Sequence, residues 1–217
     1  MDIPWHKYFL SQWSRIQPMF IEQILLIALT VVVSTVIGVG IGLLIWNKPR
    51  ISAFVISTAA AILTIPSLAL MTLLLPLFGL GWTGTVIALV LYSQLPIIRN
   101  TVAGLQGVDA GILESAKGIG MTKAATLLRV QLPLAWPVII AGVRVATMMG
   151  FGISAIAAYV SGPGLGNLIF TGLQRFGAVN SLNQALTGGF GIAILALLFD
   201  AGFVLLRRLT ISRGISV

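Results

Sequence analysis

Residues 114–137 read ESAKGIGMTKAATLLRVQLPLAWP, and the rest of the chain is best understood outward from them. Glu114 to Lys117 is helix-forming, Gly118 and Gly120 turn or break a helix, and Thr122 is placed to cap a second helix running to Leu128 or Arg129. Pro133 and Pro137 fall where an apolar run begins, a position that tolerates proline because a first helical turn has unpaired N–H groups. The pattern is a short helix, a tight turn and another short helix. Connections between helices are commonly a few residues long, so a folded insert of this kind implies a docking surface.

What lies on either side is lipid-soluble. Of 217 residues, 58% are hydrophobic and 8% charged, with a mean hydropathy of +1.05, outside the range of soluble globular domains. Apolar runs of spanning length occur at about 21–46, 52–78, 82–98, 134–160 and 185–206, each near the ~20 residues that a ~30 Å hydrocarbon core requires. The expectation is an all-α integral membrane protein of about five spans. Residues 1–20 form an interfacial segment, 21–217 form one transmembrane domain, and 99–133 form the long loop that holds the quoted stretch. An odd number of spans puts the termini on opposite sides. With the N-terminus outside, Lys48, Arg50, Arg99, Lys117, Lys123, Arg129, Arg207, Arg208 and Arg213 are cytoplasmic and only Lys7, Arg15 and Arg175 are not, which favours N-out, C-in.

The net charge of +8 is therefore topological, and it does not imply nucleic acid. The chain has no cysteine, which excludes disulfides, thiolate metal sites and a Cys nucleophile, and its one histidine, His6, is isolated. The first twenty residues lack the long apolar core and cleavage site of a signal peptide; Trp5, Tyr8, Trp13, Lys7 and Arg15 suit a headgroup layer. Phe, Trp and Tyr are sparse, and no cluster of them can be assigned to one site.

Pro66 and Pro96 interrupt apolar runs. Each reads as a packing kink or as a gating hinge, the kink being the simpler account. Small residues recur every fourth position at Ser34, Gly38 and Gly42, and again at Gly142, Ala146, Gly150, Ser154 and Ala158. Such stripes let helices approach closely, within one subunit or, for the second stripe, equally at a dimer interface or path. Arg144 and Asp200 lie at similar depth, roughly 10 Å inside the cytoplasmic boundary at about 1.5 Å per residue. Either they pair and tie the last two spans together, or Asp200 pairs locally with Arg207 or Arg208 while Arg144 snorkels, the balance tipping slightly to the second. Glu22 and Arg99 sit at span ends as boundary anchors. Residues 161–184 are rich in Gly and Asn with an apolar middle, which suits a loop with a short re-entrant helix; Arg175 is its only charge.

The quoted stretch resembles the cytoplasmic signature of bacterial ABC importer membrane subunits. In that signature Glu-Ala-Ala is followed six positions after the Glu by Gly, ten further on by Ile, and then by Leu-Pro. Here Glu114, Ser115, Ala116, Gly120, Val130, Leu132 and Pro133 keep every spacing, with Ser115 for Ala and Val130 for Ile as departures. The resemblance implies a permease fold like that of the methionine importers, in the bacterial inner membrane, with this loop as the coupling helix seated in a cleft of an ATPase subunit. By that likeness Glu114 to Ala116 and Gly120 contact the ATPase, and the loop at 161–184 implies binding-protein docking, with Arg175 the candidate. TIPSLALMTLLLPLFGLG, LYSQLPIIRNTVAGLQGV, LPLAWPVIIAGVR and GPGLGNLIFTGL further resemble the osmoprotectant branch, which imports glycine betaine, carnitine and choline.

The partners so implied are an ATPase dimer, a second permease subunit that is a copy or a paralogue, a separate or fused substrate-binding protein, and lipid. No cofactor is expected on this chain; ATP and Mg belong to the ATPase, and no G-x-x-x-x-G-K-[ST] loop occurs here. Two other transport readings stay open: a permease for an amino acid such as methionine, and an ion-coupled secondary transporter, for which Asp200 is the only midplane-type carboxylate. An intramembrane enzyme would need a Ser/His pair, an Asp pair or a His-rich cluster, and the sequence offers none.

Overall fold

The computed structural model describes residues 3–210 and is helical throughout its regular structure. A short helix α1 (Trp5–Ser11) leads through Gln12 into α2 (Trp13–Ile45). At 33 residues α2 is about 50 Å long, well beyond the ~30 Å hydrocarbon thickness, so the helix starts eight residues before the apolar run and extends past the span it contains. Then come α3 (Pro49–Thr64), α4 (Ser67–Phe78), α5 (Trp82–Gln106), α6 (Ala110–Gly118), α7 (Lys123–Thr126), α8 (Leu132–Ile156), α9 (Gly166–Gln174) and α10 (Ser181–Thr210). Four segments are long and apolar enough to cross a membrane, and the bent pair α3–α4 supplies a fifth. Arg213 lies outside the described residues.

α5 is the central post, packed by α2 on one side and α8 on another, with α3 and α4 also against it. α10 lies against α9 and α8. The core divides accordingly. Ile27, Phe151, Leu165, Leu168 and Ile192 fill one end, while Leu105, Ala135 and Ile139 fill the end that carries α6 and α7. The small-residue stripes are used within the chain. A methyl at Gly142 would stand 2.6 Å from Asn100 Cβ and 2.7 Å from the Pro96 carbonyl oxygen, so α8 touches the backbone of α5 there. Ser34, Gly38 and Gly42 of α2 are buried, as are Ala146, Gly150 and Ser154 of α8, which removes those positions from any contact with a second subunit or an open path.

Three expectations from hydropathy need correction. The apolar run 52–78 is not one straight helix but α3 and α4, bent by 98° at Ile65–Pro66. Pro66 is the N-cap of α4 rather than a kink within a helix, and the Tyr92 hydroxyl of α5 donates to the Ile65 carbonyl at 2.7 Å. Apolar residues on both sides of the break hide it from a hydropathy reading. Tyr92→Phe removes that partner from a carbonyl at membrane depth, and we expect it to lower stability by about 1–2 kcal/mol, measured by thermal unfolding in detergent. Pro96, by contrast, sits inside a continuous α5, and its carbonyl accepts from Asn100 Nδ2 at 2.8 Å.

The third span does not stop at residue 98. α5 runs through Arg99 to Gln106, where Gln106 Nε2 donates to the Trp46 carbonyl at 2.8 Å and joins the ends of α2 and α5. The fourth does not begin at 134, because α7 flows through a π-helical turn, Leu127–Gln131, into α8, and residues 123–160 form one spanning segment. Pro133 explains the π turn. It has no N–H, and in an α-helix its ring would meet the carbonyl four residues back; with the Leu132 N–H bonded to the Leu127 carbonyl, the ladder is widened by one residue just ahead of it.

Candidate functional site

The insert is built by two caps and one turn. Asp109 Oδ1 accepts from the Gly111 and Ile112 N–H groups at 2.8 and 3.2 Å and starts α6. At the other end Gly120 N–H bonds to the Lys117 carbonyl (2.9 Å) and Met121 N–H to the Ala116 carbonyl (3.1 Å). These two bonds are the Schellman closure, which needs a left-handed residue where Gly120 stands at φ +81°. Thr122 Oγ1 then accepts from Ala125 N–H at 3.2 Å and starts α7. The motif spacing does not mark Asp109, although an Asp directly before a helical stretch is an N-cap signal.

This frame sorts the residues singled out by sequence. Glu114, Ser115 and Gly120 are exposed, and Ser115 Oγ donates back to the Gly111 carbonyl at 2.8 Å. Ala116 is buried, so it packs the insert and does not offer a contact. Val130 and Leu132 are half-buried, Leu132 against the Leu105–Ala135–Ile139 core, and Pro133 is exposed at the start of α8. The most prominent apolar residue on the insert lies outside the signature positions. Ile119, the C-cap of α6, is 79% exposed between two glycines, with Ile112 and Leu128 also exposed nearby. Ile119 is thus held outward on a turn that two backbone hydrogen bonds fix.

At the opposite end of the bundle, Gln23 and Glu22 of α2 hold the segment that precedes α9. Gln23 Nε2 donates to Ser154 Oγ at 2.8 Å, Gln23 Oε1 accepts from Leu165 N–H at 3.2 Å, and Glu22 Oε2 accepts from Gly164 N–H at 3.1 Å. Gly164 has φ +102°, and a methyl there would meet Gln23 Oε1 at 2.5 Å. Glu22 is thus more than a boundary anchor. Gln23 is buried outright, and the adjacent polar pair Glu22–Gln23 at the start of an apolar run is the sequence signal for such a latch. Arg175 follows α9 and is exposed, next to Phe176 at 81% exposure.

The structure also gathers aromatic rings that sequence could not place together. Trp5, Phe9, Trp13 and Phe20 form a ladder with centroids 5.7, 5.2 and 6.2 Å apart, and Phe190 of α10 closes on Trp5 at 6.3 Å. Trp5 Nε1 donates to Thr187 Oγ1 (3.1 Å) and Asn183 Nδ2 to the Ile3 carbonyl (2.7 Å), so the ladder straps the N-terminal segment to α10.

Arg144 and Asp200 meet. The guanidinium is bidentate, Nε to Oδ1 at 2.5 Å and Nη2 to Oδ2 at 2.7 Å, and it is the one ion pair among the described residues. Local pairing of Asp200 with Arg207 or Arg208 loses because seven or eight residues separate them by about 10–12 Å along one helix, whereas α8 lies alongside.

Comparison with known proteins gives these features their setting. Residues 34–211 match the family described as the binding-protein-dependent transport system inner membrane component. The carnitine transport permease protein OpuCD of Listeria monocytogenes is 37% identical over 193 residues, covering 89% of this chain and 85% of that protein. The choline transport system permease protein OpuBD of Bacillus subtilis is 38% identical over 201 residues, covering 93% and 88%. Among solved structures, a chain of the inward-facing MetNI methionine ABC transporter superposes with a TM-score of 0.78 at 19% identity, covering 96% of this chain and 98% of that one, so the fold is shared. The chain belongs to the binding-protein-dependent transport system inner membrane component family and is a multi-pass ABC importer permease of the inner membrane.

Proposed function

We propose that this permease moves a quaternary-amine osmoprotectant of the glycine betaine, carnitine and choline class, and that ATP hydrolysis on a separate subunit drives the movement. The observation that carries the reading is the capped helix–turn–helix at 110–126, which presents Glu114 and Ile119 on a rigid projection at one end of the bundle. With the N-terminus outside, that end is cytoplasmic, and Glu114, Ser115, Ile119 and Gly120 face the cleft of an ATPase. Pro133 borders the same surface, while Ala116, Val130 and Leu132 transmit motion into α8 through packing. ATP and Mg are held by the ATPase dimer, and this chain contributes no catalytic group. A second permease subunit, a copy or a paralogue, completes the path.

On the outer side a substrate-binding protein delivers cargo, and Arg175 with exposed Phe176 and Val179 is its landing point. The cargo class is supported by relatives that are carnitine and choline permeases over nearly their whole length. The test is uptake of radiolabelled glycine betaine, carnitine, choline and methionine into proteoliposomes holding permease, ATPase and binding protein. Quaternary amines are expected to enter only with a hydrolysis-competent ATPase. Uptake that persists with an inactivated ATPase and an intact ion gradient contradicts the reading, and uptake of methionine alone contradicts the cargo class.

A further inference from the structure

Hydroxyls in the long helices mostly bond back to their own backbone. Ser93 donates to the Leu89 carbonyl, Thr101 to Ile97, Thr147 to Val143 and Thr187 to Asn183, all at 2.7–2.8 Å. Three hydroxyls of α2 do not. Thr30, Ser34 and Thr35 have buried oxygens that meet no hydrogen-bond partner among the described residues, and the same holds for Gln94 Oε1 of α5. Thr30, Ser34 and Gln94 are 2%, 0% and 8% exposed, so neither lipid nor bulk water reaches them.

The four oxygens belong to one seam. A methyl at Gly38 would stand 3.1 Å from Gln94 Oε1, which puts that oxygen against α2 one turn from Ser34 and three residues from Thr35. The Gln94 Nε2 donates to the Val90 carbonyl at 2.9 Å, so the amide is held with its oxygen toward α2. α8 closes the seam from the other side. Gln23 donates to Ser154, and a methyl at Gly150 would touch Ile27, so α8 runs antiparallel to α2 and brings Thr147 level with Thr30. Ser34 lies at the middle of the apolar run 21–46 and Gln94 midway along α5, so the seam crosses the centre of the membrane.

Unpartnered oxygens are costly at that depth, and a guest that supplies hydrogen-bond donors removes the cost. Gln94 Oε1 can only accept, whereas each hydroxyl can donate and accept. Water fits this set, since it donates twice, accepts as well, and needs two to four polar partners. A metal cation fits poorly. All four oxygens are neutral, Glu22 is engaged at the outer end by Gly164 N–H, and Asp200 is held by Arg144, which leaves no carboxylate to balance a charge at the centre of the bilayer.

We propose that the α2–α5–α8 seam is a hydration site, in which ordered water donates to Gln94 Oε1 and accepts from the Ser34 hydroxyl, with Thr30 and Thr35 as the further partners. The site is independent of the cargo and lies apart from the insert and the outer loop.

The experiment is radiolytic hydroxyl-radical labelling of the complete transporter in lipid nanodiscs equilibrated with ¹⁸O-water, read by mass spectrometry. Radicals born from bound water mark the side chains beside it. Ile97, fully buried and in contact with Gly38, is expected to take up ¹⁸O, while Ile139, equally buried in the Leu105–Ala135–Ile139 core, stays unlabelled. Ser34→Ala combined with Gln94→Leu is expected to abolish the Ile97 label with a thermal midpoint in detergent that is unchanged or higher, because apolar groups then replace both partners. That midpoint shows that the label is lost from folded protein. An unlabelled Ile97 in the unchanged transporter, or a label that survives the double substitution, overturns the site. A midpoint of the unchanged transporter that shifts when sodium replaces potassium, and no longer shifts in the double variant, also overturns it and assigns the seam to a cation.

Discussion

Gly166→Ala is expected to lower the stability of the permease in detergent by about 3 kcal/mol, the upper end of overpacking in a closed interior. Gly166 opens α9 against the end of α8. A methyl there overlaps the Ala155 carbonyl oxygen and lies 3.0 and 3.1 Å from the Ala155 carbonyl carbon and Cα. All three are backbone atoms, so no rotamer change relieves the clash, and α9 must lift away from α8. Lifting it also pulls Leu165 off Gln23 and Gly164 off Glu22, two hydrogen bonds in an apolar setting. Gly152→Ala is the matched control in α8, where a methyl meets nothing within 4 Å and helix propensity favours alanine. The measurement is the thermal midpoint of the two variants, and similar midpoints would contradict this packing of α9.

The second large effect falls on function and spares the fold. Ile119→Asp combined with Glu114→Lys is expected to reduce ATP-dependent uptake at least tenfold while the detergent midpoint moves little. Both side chains are exposed, neither caps a helix through its side chain, and the Schellman bonds run through backbone groups that the substitutions leave alone. A few exposed side chains commonly carry most of an interface's energy, and these two project from the insert. Gly120→Val separates the two ways the insert can fail. It forces a β-branched residue to φ +81°, so it damages the turn itself and lowers both uptake and stability.

Much of this architecture is legible in the amino-acid sequence. Five apolar runs, the bias of Lys and Arg toward one side, and the spacing from Glu114 to Pro133 lead to a multi-pass importer permease, and the relatives bear that out. What escapes is whatever hydropathy does not encode. The 98° break at Pro66 leaves apolar residues on both sides, so composition does not change across it. α5 continues past Ile98 although Arg99 and Asn100 are polar, because Asn100 bonds back to Pro96 and Arg99 points outward. The Gln23 latch and the Arg144–Asp200 pair are contacts at sequence separations of 131, 142 and 56 residues, which periodicity within one helix cannot report. The aromatic ladder joins residues 5–20 to Phe190 for the same reason. Ile119 escapes notice because one isoleucine between glycines reads as turn filler until the Schellman geometry turns it outward.

The claim on which the rest depends is that the insert at 110–126 seats in an ATPase. Since the chain has no cysteine, Ile119→Cys carries a single thiol on the tip of the projection. Linking that thiol to a short photo-crosslinker in the assembled transporter, and identifying the product by mass spectrometry, tests the claim directly. Adducts on the nucleotide-binding subunit, changing in yield between ATP-bound and nucleotide-free states, are the predicted result, with none from Arg175→Cys at the other end of the bundle. Adducts confined to lipid or to the permease itself, in every nucleotide state, would contradict it.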